Sequence, residues 1–202
     1  MGNDKKKYTR RKFLTEVEVN AVLSSAQEGE YGARNYCMIL LSFIHGFRVS
    51  EVSQLKVSDI DLETKCICIN RIKGGFSTIQ PLLEVEVGAL IAWLELRKSV
   101  MGAESEWLFL SRKGSPVSRQ RFHRIISDLG LDARLGIRIH PHMLRHSCGY
   151  ALANLGIDTR LIQDYLGHRN IRHTVWYTAS NASRFQGIWE QGRKAVSKNT
   201  SS

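Results

Sequence analysis

The stretch Ile139-His-Pro-His-Met-Leu-Arg-His-Ser-Cys-Gly-Tyr150 decides most about this chain. Pro141 suits the first turn of a helix, where its missing N–H is not needed. Beyond it Leu144, Cys148, Ala151, Leu152 and Leu155 recur at helical spacing and predict a buried stripe. His142 and Arg145, three apart, fall together on the side facing away from that stripe. A proton carrier beside a forked set of donors is a phosphate-directed pair. His140, His142 and His146 also suggest a metal, but no carboxylate joins them in H-E-x-x-H fashion, which places that reading well below the phosphate one.

Two flanking segments are weaker when taken alone. Gly46-Phe-Arg-Val-Ser-Glu51 puts Arg48 at a predicted helix start, where backbone donors and a guanidinium can meet an anion. The alternative is a surface arginine paired with Glu51. Leu166-Gly-His168-Arg-Asn-Ile-Arg-His-Thr-Val-Trp-Tyr177 places a histidine nine residues before a tyrosine. A lone tyrosine among apolar neighbours reads as core, and helical packing accounts for Tyr165 in the same way.

Around these segments the hydrophobic period is mostly helical. Thr15 and Glu18 have capping-box spacing ahead of Val17, Ala21, Val22 and Leu23. Further helices are expected over 33–45, ended by Gly46, and over 49–55, 84–100, 118–129, 141–155, 158–166 and 182–195. Residues 65–72 alternate, Lys73-Gly74-Gly75 is a turn signal and 76–82 returns, which predicts a hairpin with Lys73 at its tip. Cys66 and Cys68 share one strand face and read as buried small side chains, with a metal pair the remote alternative. Trp107-Leu-Phe-Leu110 reads as a short strand. The expectation is one mainly α domain with a small antiparallel β-sheet, an α+β chain without internal repeats.

The 202 residues carry a formal net charge of +10. Lys5, Lys6, Lys7, Arg10, Arg11 and Lys12 against Asp4 supply +5 of it in a short arm without apolar periodicity. Such an arm is attracted to polyanions and releases their counterions on binding, a solubilising tail being the even alternative. It lacks the apolar face of a membrane helix, and no stretch of the chain reads as a signal peptide or a span. Four cysteines without a C-x-x-C pair read as reduced thiols in a cytoplasmic protein.

In order, G-F-R-V-S-E, a hairpin-tip Lys-Gly, H-x-L-R-H, L-G-H and a following tyrosine resemble the tyrosine recombinase (phage integrase) family from about residue 13 to 184. The short chain and the run from His140 to Tyr177-Thr-Ala-Ser-Asn are most similar to its fimbrial phase-variation invertases. The resemblance implies the catalytic-domain fold of DNA breaking-rejoining enzymes over 13–195, with an exchange helix near its end, after a basic arm at 1–12 and before a tail at 196–202. It implies Arg48, Lys73, His142, Arg145, His168 and Tyr177 at the six active-site positions.

By that resemblance Tyr177 would take the 3′ phosphate covalently and release a 5′ hydroxyl, storing the phosphodiester energy without any cofactor, nucleotide or metal. Arg48 and Arg145 would bind the non-bridging oxygens, His142 take the tyrosine proton, Lys73 protonate the leaving oxygen, and His168 donate to the phosphate. The partners implied are double-stranded DNA with inverted repeats, four protomers on two sites, and accessory DNA-bending proteins. The basic arm, a cooperating protomer or such accessory proteins would compensate for the separate helical clamp domain that most of the family carries. The protein would then associate with the nucleoid. An integrase or transposon recombinase, or a regulator that binds without cutting, are the alternatives; a relaxing topoisomerase is disfavoured by size.

Overall fold

The computed structural model describes residues 11–71 and 77–179. Helix α1 (Glu16–Ala26) begins on a capping box: Glu18 N–H donates to Thr15 Oγ1, and Thr15 N–H to the Glu18 carboxylate at 2.8 Å. Its buried face is Val19, Val22, Leu23 and Ala26, whereas Val17 is 78% exposed, so the stripe starts two residues later than the spacing suggested. Helix α2 (Gly32–Ile44) is buried on nearly every side and stops at Gly46, whose φ of +58° a side chain would strain. A short α3 (Val49–Ser53) and a 3₁₀ turn (Val57–Asp59) follow.

Strands β1 (Ile60–Asp61), β2 (Cys66–Ile69) and β3 (Thr78–Pro81) form an antiparallel sheet in that order. The hairpin is the expected one, and β1 adds an edge that the alternation did not announce. Lys73, expected at its tip, lies outside the described residues, as do Lys5, Lys6, Lys7 and Arg10 of the basic arm. Cys66 and Cys68 do share a face, but the half-buried one; Ile67 and Ile69 take the core at 0% exposure because they bury more apolar area.

Helix α4 (Glu84–Arg97) packs on α2. The strand expected over 107–110 is absent, replaced by two isolated bridges, Lys56 with Trp107 and Leu110 with Pro116. Its backbone bonds are divided between Leu55 on one side and Val117 on the other, so no single partner runs alongside it. Helix α5 (Arg119–Asp132) is capped by Ser118. Helix α6 (Pro141–Asn154) buries Leu144 and Cys148 as expected, but also Met143, Arg145, Ser147, Gly149 and Ala153. Leu155, beyond its last turn, is 76% exposed. Helix α7 (Thr159–Leu166) is capped by Asp158 and ends at Gly167, φ +64°.

Helix α8 (Arg172–Ala179) was not anticipated. Its local signal is Asn170, whose Oδ1 accepts the Arg172 N–H at 2.9 Å. The helix expected over 182–195 lies outside the described residues. Among the described residues no helix is long and apolar enough to cross a membrane.

The core is built as two clusters. The larger gathers α1–α5, the sheet and the first turns of α6 through Met143 and Leu144. The smaller joins Cys148 and Ala153 of α6 to Ile162, Leu166 and Tyr177. Arg145 sits between them on α6, and the candidate site lies along that seam.

Candidate active site

Helices α2 and α7 end beside each other, and a helix C-terminus leaves carbonyls without intrahelical donors at the negative end of its dipole. Two guanidinium groups meet them. Arg145 donates from Nη1 to the Gly46 carbonyl and from Nη2 to that of Leu166, the latter at 2.7 Å. Arg71 donates from one Nη2 to the carbonyls of His45 at 3.0 Å and Tyr165 at 2.7 Å. The turns are glycine for a second reason. A Cβ on Gly46 would lie 2.4 Å from Leu166 Cδ2, and one on Gly167 2.8 Å from Arg71 Cγ.

The third arginine is reached through a carboxylate. Glu51 Oε1 accepts from Arg48 Nη1 at 2.6 Å, and Oε2 accepts the Arg48 N–H at 2.8 Å and Arg71 Nη1 at 2.9 Å. Burial alone would raise the Glu51 carboxyl, but Arg71, the Arg48 N–H and the Arg48 guanidinium outweigh it and hold it below the usual range. The Arg48–Glu51 pair expected of a surface arginine therefore exists, but its carboxylate is buried and shared. The Arg48 side chain keeps 22% of its surface, whereas that of Arg71 keeps none. Burial, then Arg48 and Arg71, bring the Arg145 pKa down to about 9, so it remains charged at neutral pH.

Tyr177 lies on α8, 4% exposed, its ring edge-on to Tyr150 at 5.3 Å and stacked near His168 at 6.3 Å. A side chain at position 149 would occupy the same space: a Cβ on Gly149 would fall 2.6 Å from the Tyr177 ring. Its hydroxyl and His146 Nδ1 are 3.0 Å apart and hydrogen-bonded. Burial raises the phenol to about 12, against the pull of Arg145 and Arg48. Burial, then His142 and Arg145, push His146 down to about 4, so two neutral partners face each other. His168 Nδ1 is bonded to the buried Thr174 hydroxyl at 2.9 Å, and burial with Arg145 and Arg48 brings it to about 3.

The structure thus brings Arg48, Arg145, His168 and Tyr177 into one electrostatically coupled group. His142 is exposed one turn away, on the rim of a cleft lined also by Lys12, Arg119, His123, Arg124 and Arg138. Arg11 reaches that cleft too, while paired with Glu18. Tyr165 is accounted for by packing, its hydroxyl on the Ile44 carbonyl at 3.0 Å and its ring stacked on His45. Sequence reasoning missed His146 as the hydroxyl's partner, Arg71, and the buried tie of His45 to Glu86 at 2.9 Å and to Gln80 at 2.7 Å. For His146 the signal was available: it follows Arg145 on the same helix. Among the described residues no group of three His, Cys, Asp or Glu side chains could hold a metal ion.

The arrangement offers a buried tyrosine hydroxyl within the field of two guanidinium groups, near a basic cleft. The phage integrase family model matches residues 12–184. Type 1 fimbriae regulatory protein FimB of Escherichia coli (strain K12) is 65% identical over 91% of this chain and 92% of its own length. Type 1 fimbriae regulatory protein FimE of the same strain is 52% identical over 91% and 93%. Among solved structures, XerA recombinase superposes with a TM-score of 0.78 at 31% identity, covering 91% of this chain and 66% of that one. XerH site-specific recombinase bound to difH substrate, a pre-cleavage complex, gives 0.72 at 27%, covering 93% and 55%.

Proposed function

The chain belongs to the phage integrase, or tyrosine recombinase, family, and from that premise we propose that it inverts a promoter-bearing DNA segment to control fimbrial phase variation. It is a site-specific recombinase acting on double-stranded DNA. Similarity to the two fimbrial regulators over nearly their whole length supports the choice of inversion over integration. The observation that carries the chemical reading is that the His168 ring stacks 6.3 Å from the Tyr177 ring while the charges of Arg145 and Arg48 act on the Tyr177 hydroxyl.

In this mechanism the Tyr177 oxygen attacks the scissile phosphorus, forms the 3′-phosphotyrosyl bond and expels the 5′ oxygen. Arg48 and Arg145 take the charge that grows on the non-bridging oxygens, and His168 donates one more hydrogen bond there; a donor of this kind is worth about 10²–10³ in rate. The phenol proton leaves to a histidine. His142 fills that role by family position, and His146 Nδ1 is the group hydrogen-bonded to the hydroxyl. Lys73 protonates the departing 5′ oxygen. Attack by the 5′ hydroxyl of a second duplex reverses the step, so no outside energy source enters. The basic cleft and the arm at 1–12 hold phosphates, four protomers join two inverted repeats through a terminal helix, and accessory proteins bend the intervening DNA.

A nicked duplex from which the 5′ fragment diffuses away tests this directly. The wild-type protein accumulates a 3′ adduct that maps to Tyr177, and Tyr177→Phe binds the duplex but forms none. An adduct on Tyr150 or Tyr165 overturns the assignment.

A further inference from the structure

We propose that Arg71, which the six-residue active-site set does not include, is a positioning residue that holds Arg48 and Arg145 in register for the phosphate; this rests on the recombinase reading above.

The side chain has no exposed surface, so its function is not to touch DNA. Its contacts are instead distributed over the supports of the other two arginines. Nη1 holds Glu51, the carboxylate that Arg48 binds through both its N–H and its guanidinium. Nη2 holds the carbonyls of His45 and Tyr165, each one residue before a carbonyl that Arg145 holds. Arg71 thus fixes the spacing of the two helix ends that Arg145 also spans, while carrying the counter-ion of Arg48.

Charge makes the same point. Glu51 is one carboxylate among three arginines. While Arg71 takes part of it, Arg48 is not fully neutralised and keeps attraction for a phosphate. Without Arg71 the carboxylate belongs to Arg48 alone, and the two helix ends lose their inner bridge. A lysine cannot replace it, since one ammonium on a flexible stem does not present a fixed fork to three acceptors. Packing reinforces the geometry: the guanidinium lies 5.7 Å from the Phe47 ring centre, and its stem fills the space left open at Gly167.

The test compares single-turnover adduct formation on the nicked duplex carrying either a normal scissile phosphate or a methylphosphonate, whose neutral methyl replaces one charged oxygen. Arg71→Met and Arg71→Lys should bind DNA like wild type and cleave the normal phosphate about 10–100-fold more slowly. On at least one methylphosphonate diastereomer the deficit should shrink to about threefold, because less charge then needs to be met. Arg71→Lys serves if Arg71→Met does not fold.

A purely structural defect would slow both substrates by one factor, and that result overturns the proposal. So does unchanged cleavage of the normal phosphate. Tyr177→Phe on the same duplexes separates the two levels. If the wild-type protein forms no Tyr177 adduct, the recombinase assignment fails and takes this one with it. If the adduct forms and the substrate dependence does not appear, only the role of Arg71 fails.

Discussion

Arg71 and Arg145 cross the same joint in parallel: Arg71 binds the carbonyls of residues 45 and 165, and Arg145 those of residues 46 and 166. The joint is made where two helices expose carbonyls that their own backbones cannot satisfy, so the positive charge serves the fold before any phosphate arrives. Each terminal guanidinium nitrogen carries two hydrogens, which leaves Arg145 a hydrogen on each nitrogen beyond its carbonyl bonds.

Lys73→Ala should cleave ordinary DNA poorly and recover much of its rate when the leaving 5′ oxygen is replaced by sulfur, a far less basic leaving group. Arg145→Ala should not recover, because the contacts it loses are to the non-bridging oxygens. Adduct formation on the two nicked duplexes measures both. Equal defects for Lys73→Ala on both substrates would make it a phosphate-binding lysine instead.

Gly149→Ala should displace Tyr177, since its Cβ would fall within 2.8 Å of three ring atoms. Adduct formation is expected to fall at least about tenfold with DNA affinity retained, the cost of a misplaced reacting group. Gly88→Ala is the control: nothing lies within 4 Å of its Cβ. On the exposed face of α4 it should leave cleavage unchanged and stabilise the fold by about 0.5–1 kcal/mol. Melting and single-turnover assays on the two variants distinguish the site from the helix.

Acid should destabilise the protein through His146 and His168. Their folded pKa values, about 4 and about 3, lie below the value of 6.5 for an unhindered imidazole. Between those limits the unfolded chain binds protons that the folded one does not, so stability is fully present above pH 6.5 and falls as the pH drops toward 4 and then 3. Denaturant unfolding across this range should show a slope that flattens in His146→Asn and in His168→Asn. An unchanged slope in both would locate the acid sensitivity elsewhere.

Glu86→Leu should destabilise the fold by about 1–3 kcal/mol, because it removes the carboxylate 2.9 Å from the buried His45 Nε2 and the acceptor of the Leu83 N–H. His45→Leu with Glu86→Leu should cost less than the sum of the two single changes. Thermal melts of the three variants check this, and additive losses would show that the pair is not coupled.

What the sequence disclosed depended on how far each side chain reaches. Thr15 and Glu18 cap a helix three residues apart, and Gly46 and Gly167 stop helices at their own positions, so all were legible locally. The motif residues Arg48, Arg145, His168 and Tyr177 were legible as an ordered set, although nothing local showed that Arg145 would be buried. Arg71 was not legible. In the sequence it closes an alternating run just before Lys73-Gly74, like any solvated cation, and its partners are 20, 26 and 94 residues away. Likewise His45 gave no sign of Glu86, which lies on another helix. The strand expected at 107–110 failed for a related reason, since its pairing depended on two distant neighbours rather than one.

The two-cluster core has a mechanical consequence. Tyr177 belongs to the small cluster of α6, α7 and α8, while Arg48 is carried by the large one. The proposed nucleophile is therefore held by a small set of apolar contacts and the His146 hydrogen bond, which partial opening would break without melting the remainder of the protein. Native-state hydrogen exchange would register this as amides of α8 opening at a lower free energy than those of α2 and α4. If α8 does open first, the proposed phosphate site around Arg48 would stay formed while the hydroxyl moves, so presenting the site and freeing the hydroxyl would be separate events.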